Sequence, residues 1–316
     1  MDDYDGDHDM TDPNAPSPDL FTGLSAFPLT PISDEEIDEA AYAGLLQRLV
    51  AAGVDSITAL GSTGSYVYLS TDERARVAQL TVEHAAGIPV FVGIGALRTR
   101  DVLANVAAAE AAGAQGLLLA PVSYQPLTED DVFELFRTVT SATDLPVVVY
   151  DNPGTTHFTF TLDLYARLAD LDGVASIKIP GQAMSPPDFT AHVERIRAAT
   201  GNRVSIGISG DAFGASGLNA GCDAWYTAVG GTLPAPMLAI TRAAQNGEAD
   251  RALELSAELQ PLWDLFAELG GSLRVTAAIA EHLGLVAPHS LPLPILGLTD
   301  DQKRKAAEVA DTLHLD

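Results

Sequence analysis

The sequence predicts an α/β fold: a closed (β/α)8 (TIM) barrel with a C-terminal helical extension. Three observations predict it. Eight short apolar runs recur along the chain. The stretches between them read as Ala-rich amphipathic helices, the alternation that gives a parallel sheet with crossovers. The eight units span residues 20–245, close to the ~250 residues of a closed barrel of this kind.

The runs are GLSAFPLT (23–30), VDSITALG (54–61), IPVFVGIG (88–95), AQGLLLAP (114–121), LPVVVYDN (145–152), VASIKIPG (174–181), RVSIGISG (203–210) and CDAWYTAV (222–229). They are rich in β-branched or aromatic residues and mostly closed by Gly or Pro, as buried strands are. Between them, Thr71, Asp72 and Glu73 form an acidic helix start. Thr128 followed by Glu129, Asp130 and Asp131 forms another. The triplet AAG recurs at 51–53, 85–87 and 111–113, where a helix ends and glycine suits the position after it. The rival fold, an open doubly wound sheet, needs a phosphate-binding loop after its first strand. Here that strand ends in FPLTP.

The flanks differ from the barrel. Residues 1–19 carry seven Asp, no Lys or Arg and three Pro, and read as a disordered acidic tail, with Met10 an alternative start within it. Residues 246–316 read as the extension, three helical stretches packed on the barrel and ending in LHLD.

Composition narrows the function classes. With 17 basic against 43 acidic residues, a net charge of −26, the surface repels phosphate backbones and anionic lipids. No nucleic-acid or membrane partner is expected, and no apolar run approaches the ~20 residues of a membrane span. The acidity and the scarcity of lysine (Lys178, Lys303 and Lys305) suit a high-salt cytoplasm or reflect genome composition. The N-terminus has no basic or apolar region of a secretory signal. A single cysteine, Cys222, excludes an internal disulfide framework and makes a reducing cytoplasm the default. The seven histidines (8, 84, 157, 192, 282, 289 and 314) lack metal-ligand spacing, so no metal is expected.

Active sites of such barrels lie at the C-terminal strand ends. The second run closes on Gly61-Ser62-Thr63-Gly64-Ser65, the fifth on Tyr150-Asp151-Asn152, the seventh on Ser209-Gly210-Asp211. The sixth carries Lys178 between Ile177 and Ile179. A buried lysine loses its proton readily, and a neutral amine is what Schiff-base chemistry needs. The alternative is a lysine that snorkels to the rim or pairs with a carboxylate. Strand alternation puts Val174, Ser176 and Lys178 on one face, Ala175, Ile177 and Ile179 on the other. Tyr150, on the adjacent strand, is placed to shuttle protons, or is an ordinary tyrosine at a barrel mouth. The Ser/Thr/Gly turn suits a carboxylate or oxyanion and is no Walker loop, because no Lys follows the glycines. His157, just after the fifth strand, lines the mouth or lies on a surface loop. Cys222 reads as a small buried residue.

Together these strand ends resemble the dihydrodipicolinate synthase / N-acetylneuraminate lyase family of class I, pyruvate-type aldolases. The resemblance covers residues 20–300 or so. It rests on FPLTP, on AGVDSITALGSTGS followed by LSTDER, on the Y-x-x-P-G of Tyr150 to Gly154, on the I-K-x-x-G ending at Gly181, and on Ser209-Gly210-Asp211. It implies that Lys178 forms a Schiff base with pyruvate or another 2-oxo acid and that Tyr150 is the proton shuttle. It implies that Ser62 relays protons to Tyr150, that the backbone of Ser62 and Thr63 holds the substrate carboxylate, and that Gly210 and Tyr226 wall the pocket. No cofactor beyond the lysine is implied. A homo-oligomer, dimer or tetramer, is.

The chain also departs from the family pattern. Thr155 stands where the synthase has an arginine for its second substrate, and Ser65 replaces the glutamate of the G-T-T-G-E loop. The paired tyrosines of a relay between subunits are replaced around Tyr124. The implied function is therefore a Schiff-base-forming lyase, an aldolase or dehydratase acting on pyruvate or a 2-keto-3-deoxy sugar acid. The alternatives are dihydrodipicolinate synthase proper and a non-catalytic 2-oxo acid binding protein.

Overall fold

The structure, a computed structural model, describes residues 20–316. The acidic tail and Met10 lie outside the described residues. The strands are β1 (Gly23–Ala26), β2 (Ile32–Ser33), β3 (Glu36–Ile37), β4 (Ser56–Ala59), β5 (Val90–Gly93), β6 (Gly116–Leu119), β7 (Val147–Tyr150), β8 (Val174–Pro180), β9 (Ser205–Ser209) and β10 (Ala224–Thr227). Eight of them, each inside one of the eight apolar runs, close into a barrel in the order β1-β10-β9-β8-β7-β6-β5-β4. Every neighbouring pair is parallel.

Alternation along the strands sorts the side chains into two shells. Phe91, Leu118, Val148, Tyr150, Ala224 and Tyr226 meet in one inner cluster. Val90, Val92, Leu117, Leu119, Val147, Val149 and Trp225 join the larger outer core, where the helices pack. The expected alternation of β8 fails at its start. Val174 pairs with Val147, but Val148 pairs with Ser176, so Ala175 is skipped. This bulge sends Val174 to the outer core and Ala175 to the inner cluster. Ser176 and Lys178 still point inward, where Ser176 meets Tyr226 and Lys178 meets Tyr150.

The helix boundaries follow local chemistry. Ser70, one residue before the expected start, caps the helix Thr71–His84 in a reciprocal box with Glu73. Thr128 and Asp131 form the same box. Gly53 and Gly113 end their helices in the left-handed conformation (φ 72° and 86°), as the AAG triplets suggest. At the second triplet, 85–87, the helix stops at His84, and Ala86 shares the left-handed turn with Gly87.

Two features were not expected. β2 and β3 form an antiparallel ribbon whose turn residues Asp34 and Glu35 both have positive φ. A two-residue strand with an Asp-Glu turn lacks the Asn-Gly signature of such hairpins. The extension holds four helices rather than three: Ala249–Glu258, Gln260–Glu268, Ser272–His282 and Asp300–Thr312. Pro261 cannot donate into the preceding turn, so the chain restarts there. Gly270 and Gly271, both at positive φ, separate the second helix from the third. Leu29 and Leu45 pack with Ala277, Ala280, Val286, Leu291 and Ile295, which seats the extension on the barrel. Among the described residues no helix is long and apolar enough to cross a membrane.

Candidate active site

The C-terminal strand ends open into a cavity of about 830 Å³. Tyr150 and Lys178 are register partners at the ends of β7 and β8. Lys178 is only 4% exposed, so it does not snorkel to the rim, and among the described residues no carboxylate lies within ion-pair distance of it. Its Nζ lies 4.1 Å from the centroid of the Tyr150 ring and 5.7 Å from that of Phe27. Burial pushes the lysine below its ordinary range; the nearby Tyr150, Asp211 and Asp151 oppose this without reversing it.

Tyr150 Oη is held from two sides. Asn152 Nδ2 donates to it at 3.0 Å, and Ser62 Oγ lies 3.0 Å away. Burial pushes the phenol up, but the charge of Lys178 and these hydrogen bonds outweigh it and leave the phenol below the ordinary tyrosine range. A lowered lysine beside a lowered phenol is a pair suited to passing a proton.

Ser62 reaches Tyr150 because of the turn before it. Leu60, buried, takes a left-handed conformation (φ 57°) and its carbonyl leans on β5. A Cβ at Gly93 would sit 1.8 Å from Leu60 O, so only glycine fits there. Buried Arg74 fastens the same region by donating to the carbonyls of Gly93 and Gly95, both at 2.9 Å.

Ser62, Thr63, Tyr150, Thr155, Lys178, Gly210 and Tyr226 all line the one cavity. Thr155 is exposed at its mouth. Tyr226 is deeper; its hydroxyl pairs with Ser176 at 2.8 Å, and burial raises its phenol. Glycine at 207, the register partner of Lys178, leaves room for that ring, since a Cβ there would meet it at 2.1 Å. Ser65 also lines the cavity, and its buried Oγ has no hydrogen-bond partner.

Other candidates fall outside. Tyr124 is 90% exposed and does not line the cavity, whereas Val122 and Ser123 do. His157 is exposed and ends the short helix Pro153–Thr156 in a left-handed cap. Cys222 is buried, and burial pushes its thiol up to about 12. Among the described residues no group of three or more His, Cys, Asp or Glu side chains is placed to hold a metal.

Several residues in or beside the lining had no role in the sequence reading. Asn152 sits two residues from Tyr150, which was the available signal. Asp211, part of the Ser-Gly-Asp motif, is buried and accepts from Thr227 Oγ1, Ala228 N and Val229 N. Asp151 accepts from Tyr165 Oη at 2.5 Å, and its other oxygen is buried without a partner. Burial raises Asp151 to about 6. Phe27 follows β1, while Trp263, Phe266 and Arg274 come from the extension. No periodicity places a late helix beside a strand end.

Residues 20–313 match the family model described as the dihydrodipicolinate synthetase family. A dihydrodipicolinate synthase from Agrobacterium tumefaciens has a solved structure 43% identical in sequence, with a TM-score of 0.89 over 94% of this chain and 99% of that one. An uncharacterized DapA-like lyase of Halobacterium salinarum is 31% identical over 88% of this chain and 90% of its own length. A 4-hydroxy-tetrahydrodipicolinate synthase of Hyphomonas neptunium is 39% identical over 160 residues, 50% of this chain and 55% of that protein.

Proposed function

The chain belongs to the dihydrodipicolinate synthetase family of lyases, and from that premise we propose that it is a Schiff-base-forming aldolase or dehydratase acting on pyruvate or a 2-keto-3-deoxy sugar acid. One observation carries the reading. The amino group of Lys178 is buried in the cavity against Tyr150, whose hydroxyl is gripped by Ser62 and Asn152.

In the cleavage direction, the neutral amine of Lys178 adds to the C2 carbonyl of the 2-oxo acid. Loss of water leaves an iminium, which is an electron sink. Tyr150, as the phenolate, takes the proton of the C4 hydroxyl. The C3–C4 bond breaks, the aldehyde leaves, and the electron pair enters the iminium to give an enamine. The enamine takes a proton at C3, and water releases pyruvate and regenerates the amine. Ser62 holds Tyr150 and relays its proton. The backbone of Ser62 and Thr63 receives the C1 carboxylate. Gly210 and Tyr226 shape the wall around the pyruvate portion, and Thr155 faces the distal portion. In a dehydratase the same iminium loses a C3 proton to give the enamine, whose electron pair expels the C4 hydroxyl, which leaves as water once protonated. A homo-oligomer is expected on the strength of the family.

Thr155 at the mouth, in place of an arginine, favours this reading over dihydrodipicolinate synthase proper. The test is borohydride reduction with pyruvate, followed by intact mass and peptide mapping. A reduced pyruvyl adduct on Lys178, absent in Lys178→Ala, is the expected result. No adduct with pyruvate, 2-oxoglutarate or 2-keto-3-deoxy sugar acids overturns the mechanism.

A further inference from the structure

We propose that Arg274, on the C-terminal extension, binds a second anionic group at the far end of the substrate, so that the site selects 2-oxo acids charged at both ends. The inference rests on the Schiff-base reading above and extends it to the distal half of the cavity.

Among the described residues lining the cavity, the cations are Lys178 and Arg274. Lys178 is committed to the carbonyl end. Asp211 is the only carboxylate in the lining, and it is consumed by one hydroxyl and two backbone N–H donors. Arg274 has no such commitment. Its Nε donates to Leu296 O at 2.9 Å, which fixes the stem and leaves both terminal nitrogens for another acceptor. No carboxylate among the described residues comes within ion-pair distance of it.

That sets it apart on the extension, in a chain that carries 43 acidic residues against 17 basic ones. The extension's other cations are taken: Arg251 pairs with Glu254, Lys303 with Glu281, Arg304 with Asp301 and Lys305 with Glu268. Asp34 and Glu35 border Arg274 across a neighbouring cavity, yet neither pairs with it. The first turn of its helix has no acidic residue to compete for the guanidinium. Arg274 is exposed and borders both this cavity and its neighbour, and an arginine fork with no internal partner there suits a carboxylate or phosphate, which it holds through two parallel hydrogen bonds. The mouth position nearer the strands, Thr155, is neutral. The positive charge for a distal anion therefore comes from the extension rather than from the barrel loop.

The test compares matched acids that differ only in the distal group, read as the concentration giving half-maximal borohydride trapping on Lys178. The carboxylate pairs are 2-oxoglutarate against 2-oxopentanoate and 2-oxoadipate against 2-oxohexanoate. The phosphate pair is 2-keto-3-deoxy-6-phosphogluconate against 2-keto-3-deoxygluconate. The wild type is expected to trap the doubly charged member of at least one pair at about tenfold lower concentration, the factor one charge-assisted hydrogen bond supplies. Which pair shows the ratio identifies the anion. In Arg274→Met the ratio is expected to fall to about one, with Arg274→Lys in between. Because each variant is scored by its own ratio, a general loss of binding does not mimic the effect, and Arg274→Gln replaces a methionine variant that fails to fold. A wild-type ratio of one in every pair, with pyruvate still trapped, overturns the inference and leaves the Schiff-base reading standing. So does a ratio that survives in both Arg274→Met and Arg274→Gln. Failure to trap pyruvate at all removes the Schiff-base reading, and the inference with it.

Discussion

Ser62 Oγ and Tyr150 Oη lie 3.0 Å apart although 88 residues separate them in the chain. They stand at the ends of β4 and β7, between which β5 and β6 intervene, so the contact spans part of the barrel mouth. Closure of the barrel, rather than proximity in sequence, brings these two hydroxyls together.

Splitting the pair separates proton transfer from imine formation. Tyr150→Phe is expected to lower kcat by about 10²–10⁴-fold while Lys178 still forms the trapped pyruvate adduct. Ser62→Ala removes a hydrogen bond that lowers the phenol, so the ascending limb of the pH–rate profile, which reports formation of the phenolate, is expected to move to higher pH. Steady-state kinetics beside adduct mass decides it. Loss of the adduct in Tyr150→Phe would show that the tyrosine acts before the iminium forms.

The rate of adduct formation is expected to rise with pH through an inflection below 10.5, because burial holds Lys178 below that value and only the neutral amine attacks. Asp211 favours the ammonium. Asp211→Asn is therefore expected to move the inflection to lower pH. Quenched borohydride reactions across a pH series measure it, and an upward displacement would contradict the electrostatic role given to Asp211.

Asp151 is a group whose ionisation works against the fold. Its folded value near 6 exceeds the 3.8 of a free aspartate, so the folded state binds the extra proton between those values. That stabilisation is full below about 3.8 and is lost as pH rises through 6. Asp151→Asn keeps an acceptor for Tyr165 and removes the charge. It is expected to be more stable than the wild type by about 1–3 kcal/mol at pH 8, with the difference vanishing near pH 4. Urea midpoints at the two pH values check this; equal midpoints at pH 8 would mean that Asp151 ionises without penalty.

Two glycine substitutions should behave oppositely. Gly93→Ala drives a methyl into the Leu60 carbonyl and is expected to cost about 1–3 kcal/mol or more and to displace the turn carrying Ser62. Gly44→Ala, within the helix Glu39–Ala52 and with nothing near its Cβ, is expected to stabilise by about 0.5–1 kcal/mol. Thermal unfolding of both, with activity for the first, distinguishes local crowding from a general intolerance of change.

Much of the barrel is legible in the sequence because its rules are local. Buried parallel strands are continuous apolar runs, and each of the eight lies within its expected stretch. Lys178 stands out because lysine is costly in such a run. What escaped notice depends on contact or register. The bulge at Ala175 leaves no mark in composition. Asn152 looks like a turn residue until its amide is found on Tyr150. Tyr124, beside the strand end in sequence, points away into solvent, whereas Arg274, a hundred residues downstream of the lysine or nearly so, borders the cavity.

Gly270 and Gly271 join two helices whose neighbouring residues form the outer wall of the cavity, while the barrel strands end at Thr227. The groups proposed to react and the wall they face are thus written in separate stretches of chain. A change between Trp263 and Arg274 is expected to alter what enters the cavity while leaving the strands beneath it unchanged in sequence. Such an arrangement makes that short segment the natural unit to exchange when a new substrate is wanted.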